Sequence, residues 1–265
     1  MAISSNKGTA LITGASSGIG AIYADRLARR GYDLVLVARN RQRLEDLARR
    51  ISTATGRSVE VLAADLNDRT DLARVEANLR ADQRITMLVN NAGLGAVAPL
   101  VESDVDKMDE MIQLDVVALM RLTYAAVPGF VARGHGTVIN IASVVAVAPE
   151  LLNGVYGAAK AFVLAFSQSL RHELTAKGVR VQVVLPGATA TDFWRLSGRP
   201  VEHLPQEIVM SGEALVDAAL TGLDLGEFAT LPSLPDVQDW HAFESARQAL
   251  MPNLSKTRPA ARYTA

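Results

Sequence analysis

The chain has 265 residues, 49% of them hydrophobic and 21% charged, which is enough to bury one large core as a single α/β domain. Twenty-seven basic side chains against 28 acidic ones leave a formal net charge of −1. No one-signed field therefore draws the molecule to nucleic acid or anionic lipid, and the expected partner is a small molecule. Cysteine is absent, which excludes a disulfide framework and a thiolate zinc site and suits a reducing, cytoplasmic setting.

Met1–Asn6 is short and polar, and the apolar run Thr9–Ile12 meets Gly14 too early for a secretory segment, so no targeting sequence is expected. Aliphatic runs then alternate with amphipathic stretches, as βαβ units do. Strands are expected at Thr9–Ile12, Leu34–Val37, Val59–Ala63 and Met87–Asn90, and helices over Gly18–Arg30, Arg41–Thr53 and Arg69–Arg80. Gly31 and Gly56 stand where a left-handed C-terminal residue ends a helix. Helices over Asp104–Asp115 and Val116–Ala132 lead through Gly134-His135-Gly136 into a strand at Thr137–Ile141. A long helix, Gly154–Lys177, precedes the strand Val179–Leu185; its apolar stretch Val155–Leu170 carries Lys160 and does not read as membrane-spanning. Continuous apolar strands such as Val35-Leu36-Val37 imply burial on both faces, hence a doubly wound parallel sheet with helices on either side. Beyond Pro186-Gly187, prolines at 200, 205, 232 and 235 break residues 188–236 into short pieces around one helix, Gly212–Gly222. We read this as a substrate lobe inside a single domain of residues 1–251, followed by a loosely held tail, 252–265.

Chemistry concentrates at strand ends. After the first strand comes Thr13-Gly14-Ala15-Ser16-Ser17-Gly18-Ile19-Gly20, with a helix starting inside it. Glycines there let the backbone approach a pyrophosphate seated at the helix N-terminus, although a tight strand-to-helix connection alone would use the same residues. The second strand ends Ala38-Arg39-Asn40, with no carboxylate to bind a ribose 2′-hydroxyl and an arginine able to pair with a 2′-phosphate. That favours NADP(H), with NAD(H) possible; Arg39 also suits an ordinary exposed helix start. Tyr156 and Lys160 lie four apart on one helix face, where the ammonium can stabilise a phenolate. Taken alone, such a pair is often only a solvated face. Ser143, just past a strand, adds a hydroxyl at the carboxyl edge of the sheet, where open α/β proteins bind ligands.

These motifs, together with Asp65, Asn90-Asn91-Ala92-Gly93 and Pro186-Gly187 followed by Thr191, occur between Thr9 and Thr191 in an order that resembles the short-chain dehydrogenase/reductase family. The resemblance implies a Rossmann fold with a mostly parallel seven-stranded sheet and a nicotinamide-dependent enzyme acting on a small carbonyl or alcohol substrate. It further implies a homodimer or homotetramer packed through the Tyr156 helix. Carried over by position, Gly14 to Gly20 would cradle the pyrophosphate. Asp65 and Leu66 would face the adenine, Asn91 would line the cofactor cleft and Asn90 would brace the sheet through backbone contacts. Lys160 would hold the nicotinamide ribose, and Thr189 and Thr191 would contact the carboxamide. Tyr156 would exchange a proton with the carbonyl oxygen while Ser143 holds it.

One position departs from the family's pattern. Its members carry an asparagine that positions a relay water, and here Asp115 stands in that place, adding a negative charge near Lys160. Asp115 could equally cap the helix expected from Val116. Leu94, Val144, Val145, Leu151, Leu152, Phe193, Trp194 and Leu196 are expected near the catalytic edge, giving an apolar mouth or simply lobe core. His135, His172, His203 and His241 form no metal-like cluster, and no metal is expected. Two other readings stand beside the reductase: an NADP(H)-binding sensor or scaffold with weak catalysis, and an epimerase or dehydratase that uses the nicotinamide transiently.

Overall fold

A computed structural model describes residues 7–264, so the expectation for Met1–Asn6 and the last residue of the tail lie outside it. Six strands follow the aliphatic runs: β1 (Thr9–Thr13), β2 (Asp33–Ala38), β3 (Val59–Ala63), β4 (Ile85–Asn90), β5 (Gly136–Ile141) and β6 (Val179–Val184). A pair of two-residue strands, β7 (Thr189–Ala190) and β8 (Met210–Ser211), stands apart, and β9 (Ala229–Thr230) completes the main sheet. That sheet has seven strands in the order β3-β2-β1-β4-β5-β6-β9, all parallel, which is the doubly wound architecture expected. Two central strands, β1 and most of β2, are buried along their length, as strands covered on both faces must be.

Helices α1 (Gly18–Arg29), α2 (Arg41–Thr55) and α3 (Arg69–Ala81) connect the first four strands. Asn40 and Asp68 accept hydrogen bonds from free first-turn N–H groups of α2 and α3, so each start is fixed by a side chain written just ahead of it. Leu27, Leu44, Leu47 and Ile51 from α1 and α2 pack with Ile12, Leu34 and Leu36 into the main core on one face. The next helices depart from expectation. Instead of two helices meeting at Asp115, residues Val105–Arg133 form one continuous run: α4 (Val105–Ile112), a π-helical turn (Gln113–Ala118) and α5 (Leu119–Arg133). Asp115 therefore caps nothing and lies mid-helix. By length and composition this run, rather than Val155–Leu170, is apolar enough to cross a membrane, yet Met111, Ala118, Leu122, Ala126 and Phe130 are buried within the protein.

Helix α6 (Gly154–Leu174) ends three residues earlier than expected, the chain continuing as a 3₁₀ turn, Thr175–Lys177. Its start is held by Asn153, whose Oδ1 accepts from the Val155 N–H at 2.9 Å and whose amide donates to the Ala98 carbonyl at 2.7 Å. Beyond β6 come the short helix α7 (Asp192–Leu196) and α8 (Gly212–Leu225), three residues longer than expected, and Leu215, Val216, Ala219, Leu220 and Leu223 of α8 pack into the main core. The chain divides into two compact units, one closing at Pro232 and the second opening at Ser233, ahead of the 251/252 boundary expected. The second unit holds an unanticipated helix, α9 (Val237–Ala249), followed by 3₁₀ turns at Met251–Asn253 and Ala261–Tyr263.

Candidate active site

The order of the sheet places the site. Chain direction across the sheet reverses between β1 and β4, and the segments leaving the carboxyl ends of neighbouring strands gather at that switch point. They are the Gly-rich turn after β1, Asn91–Gly93 after β4, Ser143 after β5 and Pro186–Thr191 after β6, with Arg39 after β2 and Asp65 after β3.

The turn is built for close approach. Gly14 has φ +66°, where a Cβ would lie 2.8 Å from the Asn91 amide nitrogen, and a Cβ at Gly20 would lie 2.4 Å from the Gly14 carbonyl oxygen. Ser17 stands at the N-cap of α1 in extended conformation and makes no side-chain capping bond, so the first N–H groups of the helix keep their capacity for an anion. Thr13 ties this turn to the next strand: its hydroxyl accepts from the N–H groups of Asn91 and Ala92, both at 3.0 Å. The Asn91 amide donates to the Thr13 carbonyl at 2.8 Å, so Asn91 braces the turn. Asn90 also braces the sheet, but through its side chain: its amide donates to Asn140 Oδ1 at 2.9 Å and to the Thr123 hydroxyl at 3.0 Å. The Asn140 amide in turn donates to Ser167 at 2.9 Å. Asn140, Thr123 and Ser167 were not anticipated, because their partners lie far apart in sequence; Asn153 was readable as a polar residue before a helix start.

Arg39 is exposed and, among the described residues, forms no ion pair or side-chain hydrogen bond, whereas its neighbour Arg41 pairs with Glu45 at 3.7 Å. The carboxylate of Asp65 accepts from the Asn67 N–H at 3.0 Å and Leu66 is buried, so this corner is shaped locally by an Asx turn.

The three side chains expected to be catalytic come together. Ser143 lies in extended backbone after β5, its hydroxyl 3.4 Å from the Pro186 carbonyl and 3.4 Å from the Val145 N–H, which donates to it. One turn along α6 from Tyr156, the Lys160 ammonium donates to the Ile141 carbonyl at 3.3 Å and sits 5.7 Å from the Tyr156 ring centroid. Asp115, delivered by the π-helical turn, meets Lys160 directly, Oδ2 to Nζ 2.9 Å, and its Oδ1 accepts from the Leu94 N–H at 2.7 Å. The carboxylate is thus an ion-pair partner of the lysine rather than a helix cap. Burial pushes the Tyr156 phenol above its ordinary range; Lys160 and the neighbouring Ser143 hydroxyl pull it back, and Asp115 works against them. Burial also penalises the Lys160 ammonium, but Asp115 and Tyr156 together hold its pKa above the ordinary lysine value. The Asp115 carboxyl is raised by burial against the pull of Lys160.

Of the apolar residues expected near the edge, Leu94, Val145, Leu152 and Phe193 gather with Ala96 and Met111 around Tyr156. Leu151 and Leu196 are exposed, and Trp194 turns inward to donate its indole N–H to the Thr189 carbonyl at 3.0 Å. Thr191 adds a hydroxyl 3.5 Å from the same carbonyl. No group of three or more potential metal-ligating His, Asp or Glu side chains exists among the described residues.

A sequence model for short chain dehydrogenases matches residues 8–200. The chain belongs to this family. It is an oxidoreductase of the class that acts on alcohol and carbonyl groups. It resembles a short-chain dehydrogenase from Sphingobium yanoikuyae, whose structure was solved in complex with NADPH: TM-score 0.94 and 49% identity, over 97% of this chain and 99% of that one. The bulky-bulky ketone specific alcohol dehydrogenase from Comamonas testosteroni is similar at TM-score 0.90 and 45% identity, over 98% of this chain and 99% of that one. A very-long-chain 3-oxoacyl-CoA reductase from Anas platyrhynchos is 36% identical over 193 residues, which is 71% of this chain but 62% of the duck protein's length.

Proposed function

We propose that this dehydrogenase moves a hydride between NADP(H) and the carbonyl or alcohol carbon of a small, apolar substrate, and that it works in the cytoplasm as a homodimer or homotetramer. The observation that carries the reading is the convergence of Ser143, Tyr156 and Lys160, all buried, on the same sheet edge as the Gly-rich turn. The nicotinamide, when bound, supplies or accepts the hydride. Gly14, Ala15, Ser16, Ser17, Gly18, Ile19 and Gly20, with the first N–H groups of α1, would hold its pyrophosphate. The unpaired Arg39 would take the 2′-phosphate, Asp65 and Leu66 would flank the adenine, and Asn91, Thr189 and Thr191 would flank the nicotinamide. The NADPH complex of the Sphingobium relative supports the same cofactor here.

At the reacting carbonyl, Ser143 donates a hydrogen bond to the oxygen and Tyr156 transfers its phenolic proton to it during reduction, recovering that proton from the alcohol during oxidation. Lys160 offsets the charge left on the phenolate, and Asp115, in the asparagine's place, tempers that help. The apolar ring around Tyr156 suits a ketone without charged groups, and the Comamonas relative, specific for bulky-bulky ketones, supports that class. A row of aromatic rings on α5 and α6, Tyr124 stacked 6.4 Å from Phe166 and Phe166 5.6 Å from Phe162, supports packing of copies through these helices, since Tyr124 is exposed. The cysteine-free sequence suits the cytoplasm.

The test is optical: NADPH and NADH oxidation against aliphatic, aromatic and cyclic ketones, for the wild type and Tyr156→Phe. Turnover with NADPH is expected to fall by about 10² to 10⁴ in the variant, with NADPH affinity unchanged. Tight NADPH binding without turnover of any carbonyl would overturn the proposal in favour of a sensor.

A further inference from the structure

Two hydroxyls, Ser143 Oγ and Tyr156 Oη, must touch one substrate oxygen, yet Tyr156 is only 5% exposed and Ser143 8%. Protein fills the space that a substrate needs, and most of what fills it belongs to fixed parts of the fold: Ala96 and Val145 are buried in segments that follow β4 and β5, and Met111 is buried in α4. Phe193 is different. It comes from α7, a helix of five residues whose N-cap, Thr191, makes no side-chain capping bond. Its ring centroid lies 5.7 Å from that of Tyr156, tilted 45°, and the ring itself is only half-buried.

The far end of the ring is seated on backbone. A Cβ built at Gly95 would lie 2.1 Å from Phe193 Cζ and 2.3 Å from Cε2, so the phenyl edge rests directly on a residue that has no side chain. Tyr156 on one side and Gly95 on the other therefore bound a slot that a phenyl group fills. The neighbouring Trp194 is fixed by its hydrogen bond to Thr189 and meets Phe193 edge-on, at 5.6 Å and 86°. Trp194 holds the helix; the Phe193 ring has only packing to hold it, and packing is what an apolar ligand can replace.

We propose that Phe193 sets substrate selectivity: its ring occupies the slot between Gly95 and Tyr156 in the free enzyme and yields that slot to a flat aryl or broad branched substituent of a ketone. This assignment rests on the carbonyl-reductase reading above. A small substituent leaves the ring in its slot, whereas an aryl group must displace it and recovers only part of the lost packing against the same Gly95 backbone.

The test measures binding without chemistry, titrating propiophenone and acetone into the complex with NADP⁺, which carries no hydride to transfer. Wild type, Phe193→Ala, Phe193→Leu and Gly95→Ala are compared, with NADP⁺ affinity and thermal unfolding as checks on the fold. In Phe193→Ala the slot is already vacated, so propiophenone should bind about tenfold tighter while acetone stays within about twofold. Phe193→Leu, too short to reach Gly95, should move in the same direction by less, and a methyl at Gly95 should weaken propiophenone binding. An unchanged ratio of the two affinities in both Phe193 variants, or no ketone binding by any protein, overturns the assignment. NADPH oxidation is followed in parallel. A shifted affinity ratio with no turnover by the wild type removes the reductase reading alone, and normal turnover with an unshifted ratio removes Phe193 alone.

Discussion

The sheet edge and the lobe that follows Pro186 are built in opposite ways. At the edge, polar groups are buried and joined to one another: Thr13 to Asn91 and Ala92, Asn90 to Asn140 and Thr123, Lys160 to Asp115 and the Ile141 carbonyl. In the part of the lobe between Ala188 and Ser211, strands of two residues, a five-residue helix and isolated 3₁₀ turns at Val201–His203 and Gln206–Ile208 are interleaved with prolines. A buried polar network tolerates little displacement, because each broken link leaves a desolvated group without a partner. Short apolar elements can shift and repack at lower cost. On the function proposed above, the difference would separate two tasks: the atoms that move a proton would be fixed by the edge, and the surface that chooses what they act on would be carried by the lobe.

The contrast is most severely tried at Lys160. Lys160→Met leaves Asp115 as a buried, unpaired carboxylate, and breaking such a pair costs about 3 to 5 kcal/mol. Urea unfolding should show a loss of that size, and Lys160→Met/Asp115→Leu should recover most of it while remaining inactive. If the single variant loses under about 1 kcal/mol, the edge is not the rigid part.

Asp115→Asn sharpens the same point through pH. Alcohol oxidation needs the phenolate of Tyr156, so its rate rises as pH climbs through that group's pKa, which burial holds above the ordinary tyrosine value and Asp115 raises further. Removing the carboxylate takes away one of the raising causes. The rise in oxidation rate should therefore move to lower pH, and an unmoved profile would show that Asp115 does not act on Tyr156. The smallest effect belongs to the lobe. Trp194→Phe deletes one buried hydrogen bond, to Thr189, worth about 1 kcal/mol. KM should rise by less than about tenfold with kcat nearly constant, and a collapse of kcat would join the lobe to the catalytic machinery.

What the sequence made legible follows the same division. The Gly-rich turn, the Tyr156–Lys160 spacing and Ser143 could be read because each depends on local geometry: a backbone that must approach closely, one helical turn, one strand end. The π-helical turn at Gln113–Ala118 could not. The apolar pattern of Met111, Leu119 and Leu122 reads as helix on either side of it, and an aspartate between two helical patterns looks like a cap. Strand β9 escaped because two residues carry no period, and α9 because Trp240 is its only buried residue, leaving no apolar face to detect.

The ladder of amides and hydroxyls through Asn90, Asn140 and Ser167 has a consequence for how the chain reaches its structure. Asn90 and Asn140 are register partners in adjacent parallel strands, β4 and β5. A slip of β5 by one residue would turn Asn140 to the opposite face of the sheet, deprive Ser167 in α6 of its amide donor and leave the Asn90 amide with Thr123 as its one remaining acceptor. Aliphatic neighbours such as Val138 and Ile139 would pack almost as well after such a slip, since one apolar side chain replaces another. The polar rungs would not, so they act as a proof-reading device during assembly, selecting the one alignment in which the strand ends, and the residues that leave them, arrive together.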